Sequence, residues 1–343
     1  AYTTINKSTD HFNTKLYTGT GSSNAITGVG FQPDWTWIKN RDGTDDHKTF
    51  DAVRGVTKVL KTNTSGAETT DSNTLSAFGT DGFTVGSDGG VNGNGENFVS
   101  WNWKAGTGQG SSNTDGSINT TYTSVNATAG FSISKYTGTG SNATIGHGLG
   151  VVPKMIIVKR LSNSENWTVY HNSIGNTKYL NLDDNTAATT YNMWQNYTPT
   201  SSVFYIATHN RLNANGDDYI AYCFAEKTGY SKFGSYTGNG SSTDGTFVYT
   251  GFKPSLLIVK ATDTENWRIY DNKRANPYNV INVRLFPSLS NAEDQADNEC
   301  DFLSNGFKWY SNSGGVNTSS QEYIFMAFGQ SLVGSNNIPC TAR

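Results

Sequence analysis

Large apolar and polar side chains alternate through short stretches of this chain, and the stretches come in three sets. Trp35 and Trp37 alternate with Asp34 and Thr36 just after Pro33, and Phe98 lies on the side opposite Trp101 and Trp103 along Asn97–Trp103. Period two over such short runs predicts β-strands with one aromatic face. The stretch Gly30–Lys39 returns as Gly150–Lys159 and Gly251–Lys260, each with a proline six residues before a lysine and a mostly apolar run between. Upstream of each lies a tyrosine with a glycine-rich turn: Tyr17-Thr-Gly-Thr-Gly21, Tyr136-Thr-Gly-Thr-Gly140 and Tyr236-Thr-Gly-Asn-Gly240. The spacings from tyrosine to proline are 16, 17 and 18 residues, so the chain is a threefold repeat. Its closing strands agree as well. Phe98, Tyr219 and Tyr323 share one position, and Trp103, Phe224 and Phe328 share another five residues later.

Between these landmarks the pattern predicts further strands at Leu75–Phe78, Gly82–Val85, Thr120–Val125, Phe131–Tyr136, Asn166–Tyr170 and Asn266–Tyr270. Helix is expected only as one or two turns over Ser290–Ala296, capped by Ser290. The fold class is all-β: three tandem β-sandwich (jelly-roll-like) repeats with little helix. Repeat one covers 1–105, a Gly/Ser/Thr/Asn-rich exposed joint covers 106–118, repeat two covers 119–228, and repeat three with an irregular C-terminal tail covers 229–343. Each unit is large enough for its own core, and an interlocked arrangement of the three is the alternative to a row.

Composition separates this chain from a disordered one. Glycine is abundant at 37 of 343 residues and charged residues are only 15%, but 8 Trp, 18 Tyr and 17 Phe supply apolar area that disordered chains lack. A net charge of −3 without any Lys/Arg run argues against nucleic acid as a partner. No apolar run reaches the length of a membrane span, so no membrane insertion is expected. The N-terminus carries no charged-then-apolar leader, and Ala1 fits removal of an initiator Met. Synthesis in a cytoplasm and export by assembly into a particle are therefore expected. Cys223, Cys300 and Cys340 are too few and too scattered for a disulfide framework or a zinc cluster, and read as idle or buried thiols.

Candidate chemistry is sparse. The Gly-x-Gly turns lack the helix a phosphate cradle needs and read as hairpin turns requiring positive φ. Asp42, Thr44 and Asp46 begin like a calcium loop, but Val53 stands where the bidentate Glu belongs. The five histidines show no ligand spacing, so neither a metal nor a cofactor is expected. The pairs Asp183-Asp184 and Asp217-Asp218 leave a glycosidase open without supporting it; no catalytic residue is assigned. The lysines that end the three organising strands read as solvated strand ends. Trp167 and Trp267, in matching Glu-Asn-Trp contexts, are core anchors if buried and ligand-binding platforms for sugars if exposed; alternation with Val169 and Ile269 favours the core. Repeats one and three carry Asp51, Arg54 and Glu68, and Asp271, Arg274 and Glu293. In repeat two these positions become His171, Ile174 and Ala188, so the charges vanish together. Joint loss suggests that the groups touch, since one buried charge left alone is costly, and an internal Asp–Arg–Glu network is expected.

The motifs Gly30-Phe-Gln-Pro-Asp-Trp-Thr-Trp-Ile-Lys-Asn-Arg41, Phe50-Asp-Ala-Val-Arg-Gly55, Asp81-Gly-Phe-Thr-Val-Gly86 and Val99-Ser-Trp-Asn-Trp-Lys-Ala-Gly106 resemble a repeat module of tailed-bacteriophage virion structural proteins, particularly marine ones. Such proteins are often labelled tail fibre or tail protein. The ending Ile338–Arg343 is similar too, while repeat two departs at the charged set and keeps Gly146-His-Gly-Leu-Gly150. The resemblance implies a virion component, not an enzyme: a tail fibre or tail-associated adhesion protein meeting the host surface, or a capsid decoration protein. Other virion proteins, further copies of itself (a trimer included) and host surface glycans are the implied partners. A carbohydrate-active depolymerase or a lectin is the alternative.

Overall fold

The computed structural model describes residues 3–274 and 279–333; Cys340 and the ending Ile338–Arg343 lie outside the described residues. The protein is all-β, and every ladder between its strands is antiparallel. Among the described residues helix is limited to single turns at Ser8–Asp10, Gly89–Asn92 and Asn210–Asn213. The turn expected over Ser290–Ala296 is not helical; Asp294–Leu303 is a strand paired on both sides, with Ile281–Arg284 and Gly306–Trp309. Two ladders outweigh the high intrinsic helix propensity of Ala, Glu and Gln, which tertiary pairing readily overrides.

Each repeat builds a large sheet in the same order: opening strand, closing strand, organising strand, next strand. In repeat one these are Phe12–Thr18, Asn97–Trp103, Trp35–Asn40 and Lys48–Asp51. In repeat two they are Phe131–Thr137, Asp218–Phe224, Met155–Arg160 and Thr168–His171, with Tyr122–Asn126 added at the edge. Repeat three uses Ser231–Thr237, Glu322–Gln330, Lys253–Ala261 and Arg268–Asp271. A smaller sheet packs on one face of each large one.

The organising strand is buried on both faces, and its alternation sorts residues between two cores. Trp35 and Trp37 face a cluster shared by all three repeats, whereas Ile38 faces the core of repeat one alone. Met155 and Ile157 join the shared cluster and Ile156 and Val158 the second repeat's own; Leu256 and Ile258, then Leu257 and Val259, divide likewise. This double burial explains the continuous apolar runs of repeats two and three. The three sandwiches stand as expected, with no sheet among the described residues mixing strands of different repeats, and they pack their inner faces together into one shared core. Trp103, Phe224 and Phe328, equivalent in sequence, converge at the centre, with Phe328 6.0 Å from Trp103 and 6.2 Å from Phe224 between ring centroids.

The Gly-x-Gly turns do need positive φ, at +67° for Gly21 and +72° for both Gly140 and Gly240. They are not hairpins. Each carries the chain from the large sheet to the small one and hooks onto the turn before the closing strand. A Cβ on Gly19, Gly138 or Gly238 would sit 2.1–2.3 Å from a carbonyl oxygen of that turn, so only glycine allows the approach. The preceding tyrosines anchor the same turn. Tyr17, Tyr136 and Tyr236 donate to the carbonyls of Val91, Leu212 and Val316 at 2.6, 2.8 and 2.7 Å. Each also stacks on its closing-strand partner Phe98, Tyr219 or Tyr323 at 5.2, 5.2 and 5.0 Å.

Candidate functional site

The charged residues singled out in sequence lie at the seams between repeats. Arg54 donates to Asp51 (2.5 Å) and Glu68 (3.1 Å), and Arg274 to Asp271 (2.6 Å) and Glu293 (3.2 Å). Each aspartate takes a further bond from a neighbouring repeat: Tyr222 donates its hydroxyl to Asp51 at 2.7 Å, and Trp101 its indole N–H to Asp271 at 3.0 Å. Burial opposes the Asp271 charge, yet Arg274, its backbone N–H and Trp101 hold the carboxyl below its ordinary pKa. At the third seam the residue equivalent to Trp101 and Tyr222 is Met326, which has no donor, and His171 replaces the aspartate. The His171 ring lies 3.2 Å from the Phe325 carbonyl and accepts from Ser173 N–H at 3.2 Å. The loss in repeat two is thus a fourfold exchange across one seam, and its partners Trp101 and Tyr222 were not singled out in the sequence. Their signal was their closing-strand position, polar in two copies and methionine in the third.

Backbone bonds close the seams into a ring. Glu68 N–H donates to Leu161 O (3.0 Å), Ala188 N–H to Thr262 O (2.8 Å) and Glu293 N–H to Arg41 O (2.8 Å). Glu293 also clasps Arg41 through two bonds of 2.6 and 2.8 Å.

Trp167 and Trp267 are 0% and 1% exposed, so no ring face is left for a ligand. Their indoles donate across the seams to Lys61 O (3.0 Å) and Asn181 O (2.6 Å). The platform alternative is thereby overturned in favour of the anchor. His47 takes the same place in repeat one, accepting from Trp37 Nε1 at 2.9 Å. Lys39, Lys159 and Lys260 are not solvated either. All three are fully buried and donate only to backbone carbonyls, at 2.6–3.1 Å. Burial draws each down to about 8. Loop carbonyls without ladder partners turn inward here, and a long side chain satisfies them.

His171 gives a pH signature. Burial lowers it to about 4, so it is neutral in the fold at pH 7, while the unfolded chain protonates it near 6.5. Its contribution is present above about pH 6.5 and is lost as pH falls toward 4. His171→Gln is expected to gain about 2–3 kcal/mol on the wild type between pH 7 and pH 4.5, read from denaturant midpoints. Parallel pH curves for the two proteins would contradict this.

The acidic pairs are internally engaged. Asp183 accepts from Trp167 N–H (3.0 Å) and burial lifts it to about 6. Asp184 holds Asn166 and Asn181, Asp217 is gripped by Arg160, and Asp218 pairs with Lys135 at 3.0 Å. Asp42 accepts from Asn97 N–H at 2.7 Å, and Asp46 pairs with Lys61 at 2.7 Å. Among the described residues no group of three or more His, Cys, Asp or Glu could hold a metal ion. Cys223 and Cys300 are buried free thiols.

Exposed chemistry sits where the repeats stop matching. Repeat one adds the strand Leu75–Gly79 to its small sheet beside Gly82–Val85, and repeat three adds Asp294–Leu303 beside Gly306–Trp309; repeat two has an irregular loop, 191–202. Buried Met193 and Trp194 root it, and Gln195 Nε2 donates to Ala143 O and Ile206 O, both at 2.8 Å. Gln195 and Asn196 adopt φ of +55° and +56°, a left-handed pair held by these bonds and by Asn176, which donates to Asn196 O. The loop displays Tyr191 and Tyr197, 52% and 58% exposed, with Tyr197 5.0 Å from Tyr205 and Tyr191 5.3 Å from His209. Rigidly presented phenol rings suit stacking on sugar or side-chain faces.

No curated protein and no solved structure matches the chain. One family does match, over residues 7–331, which take in all three repeats and both the seams and the tyrosine loop. The chain therefore belongs to the family described as a domain of unknown function, DUF7483.

Proposed function

We propose that this chain is a structural protein of a bacteriophage virion, a tail fibre or tail-associated adhesion component contacting the host surface, or a capsid decoration protein. The observation that carries this reading is the disposition of its charged side chains. Both Asp–Arg–Glu sets are held inside the fold and take bonds across the seams from Tyr222 and Trp101, and the Arg41–Glu293 clasp joins repeats one and three. Such a body suits standing and bearing load, and the motif resemblance to phage virion modules supports the same role. It would be made in the host cytoplasm and meet other virion proteins and further copies of itself. A lectin-like role in that setting is favoured by Tyr191 and Tyr197, which offer rings to host glycans from a pinned loop.

Antibody raised against the purified chain is expected to decorate phage particles at the tail or the capsid surface under immunogold electron microscopy. Particles free of label, and free of the chain by mass spectrometry, would overturn the virion assignment. Passing the purified chain over host envelope glycans separates the remaining readings. Retention weakened by Tyr191→Ala/Tyr197→Ala supports the lectin-like role, cleavage supports a depolymerase, and neither leaves a scaffold.

A further inference from the structure

Between the first strand of repeat one and the start of the organising strand of repeat three lies a cleft of about 660 Å³, a size typical of small-ligand sites. Its walls carry Lys7, Lys253 and Lys273 and no carboxylate, in a chain whose net charge is −3. Lys7 is paired with Asp10 at 2.5 Å. Lys253 and Lys273 are exposed, and among the described residues neither forms an ion pair. Two further wall residues hold polar atoms without partners: Thr14 Oγ1, on a side chain only 5% exposed, and Asn272 Oδ1. Buried polar atoms are nearly always bonded, so orphans on a cleft wall point to a missing partner.

The equivalent place in repeat one is closed. There Asp34 stands where repeat three has Ser255, and it accepts from the N–H groups of Ala105, Thr107 and Gly108 at 2.7, 2.9 and 2.7 Å. Gln109 completes the seal by donating to Val53 O at 3.2 Å. In repeat three the Ser255 hydroxyl turns instead to Phe328 O at 3.1 Å, and no described residue takes the part of 105–109.

We propose that this cleft binds a carboxylate-bearing oligosaccharide. Lys253 and Lys273 take the carboxylate, because their ammonium groups are the uncommitted cations. The Thr14 hydroxyl and the Asn272 carbonyl meet sugar hydroxyls, and the exposed Leu332 side chain faces ring C–H groups. A simple anion would leave the hydroxyl-bearing and apolar walls unused, and a neutral sugar would leave the charges unused. This inference does not depend on the virion reading.

Calorimetric titration of the whole chain with tetragalacturonate tests it, with maltotetraose and sodium sulfate as controls. The acidic oligosaccharide is expected to bind more weakly as salt rises. Its affinity should fall about tenfold or more in Lys253→Glu/Lys273→Glu, two surface changes that leave the unfolding midpoint in place. Thr14→Val should weaken it several-fold, and maltotetraose should give no heat. Absence of tetragalacturonate binding, undiminished binding by the lysine variant, or sulfate binding as tightly as the saccharide would each overturn the proposal.

Discussion

Arg54→Ala is expected to destabilise the protein by about 3–5 kcal/mol, the cost of leaving a buried carboxylate without its partner. Asp51 is fully buried, and its oxygens face Arg54 and Tyr222, so nothing else nearby can neutralise it. Glu68, partly exposed, loses its anchor at the same time. The seam of repeat two shows how the same place is filled without charge. Converting the first seam to that set, with Asp51→His, Arg54→Ile, Glu68→Ala and Tyr222→Met together, should place stability nearer wild type than Arg54→Ala alone. The physical reason is that breaking a buried pair costs far more than replacing it whole. Denaturant midpoints decide the matter. A loss below about 1 kcal/mol for the single variant would mean that the network is merely decorative.

Trp35→Ala should cost a comparable 3–5 kcal/mol or so, as large aromatic truncations in closed cores do. Trp35 is fully buried and stacks 4.5 Å from both Trp103 of its own repeat and Tyr222 of the next, with Phe131 and Phe224 6.0 Å away. The hole would therefore open in the core that the repeats share. Unfolding followed by fluorescence and by far-ultraviolet circular dichroism should shift together, since no repeat keeps an intact inner face. If one probe moved and the other stayed, the shared core would not be acting as a unit.

Much of this architecture can be read from the chain. The three Pro-to-Lys stretches, the tyrosine turns and the closing-strand positions mark strands that recur in one sheet order, because alternation and glycine placement are local properties. Seams are a different matter. Lys39, Lys159 and Lys260 look solvated in sequence because lysine is rarely buried; only the folded loops reveal carbonyls waiting for an ammonium. Trp167 and Trp267 are undecidable by pattern alone, since exposure depends on which repeat packs above them. The Gly-x-Gly turns are read correctly for φ and wrongly for role, because a hairpin and a crossing between sheets ask the same of glycine. Trp101 and Tyr222 escape notice for a related reason. Their partners sit in other repeats, 170 and 171 residues away.

Because a single polypeptide supplies all three sectors of the ring, they need not remain identical. Were this body assembled from three separate products of one gene, any exchange at Asp51 would be forced on every sector at once. Covalent continuity lifts that restriction, so the seam where His171 meets the closing strand of Met326 can abandon ionic lacing while the other two retain it. The same freedom lets just one sector sprout the tyrosine loop, giving an otherwise repetitive object a front.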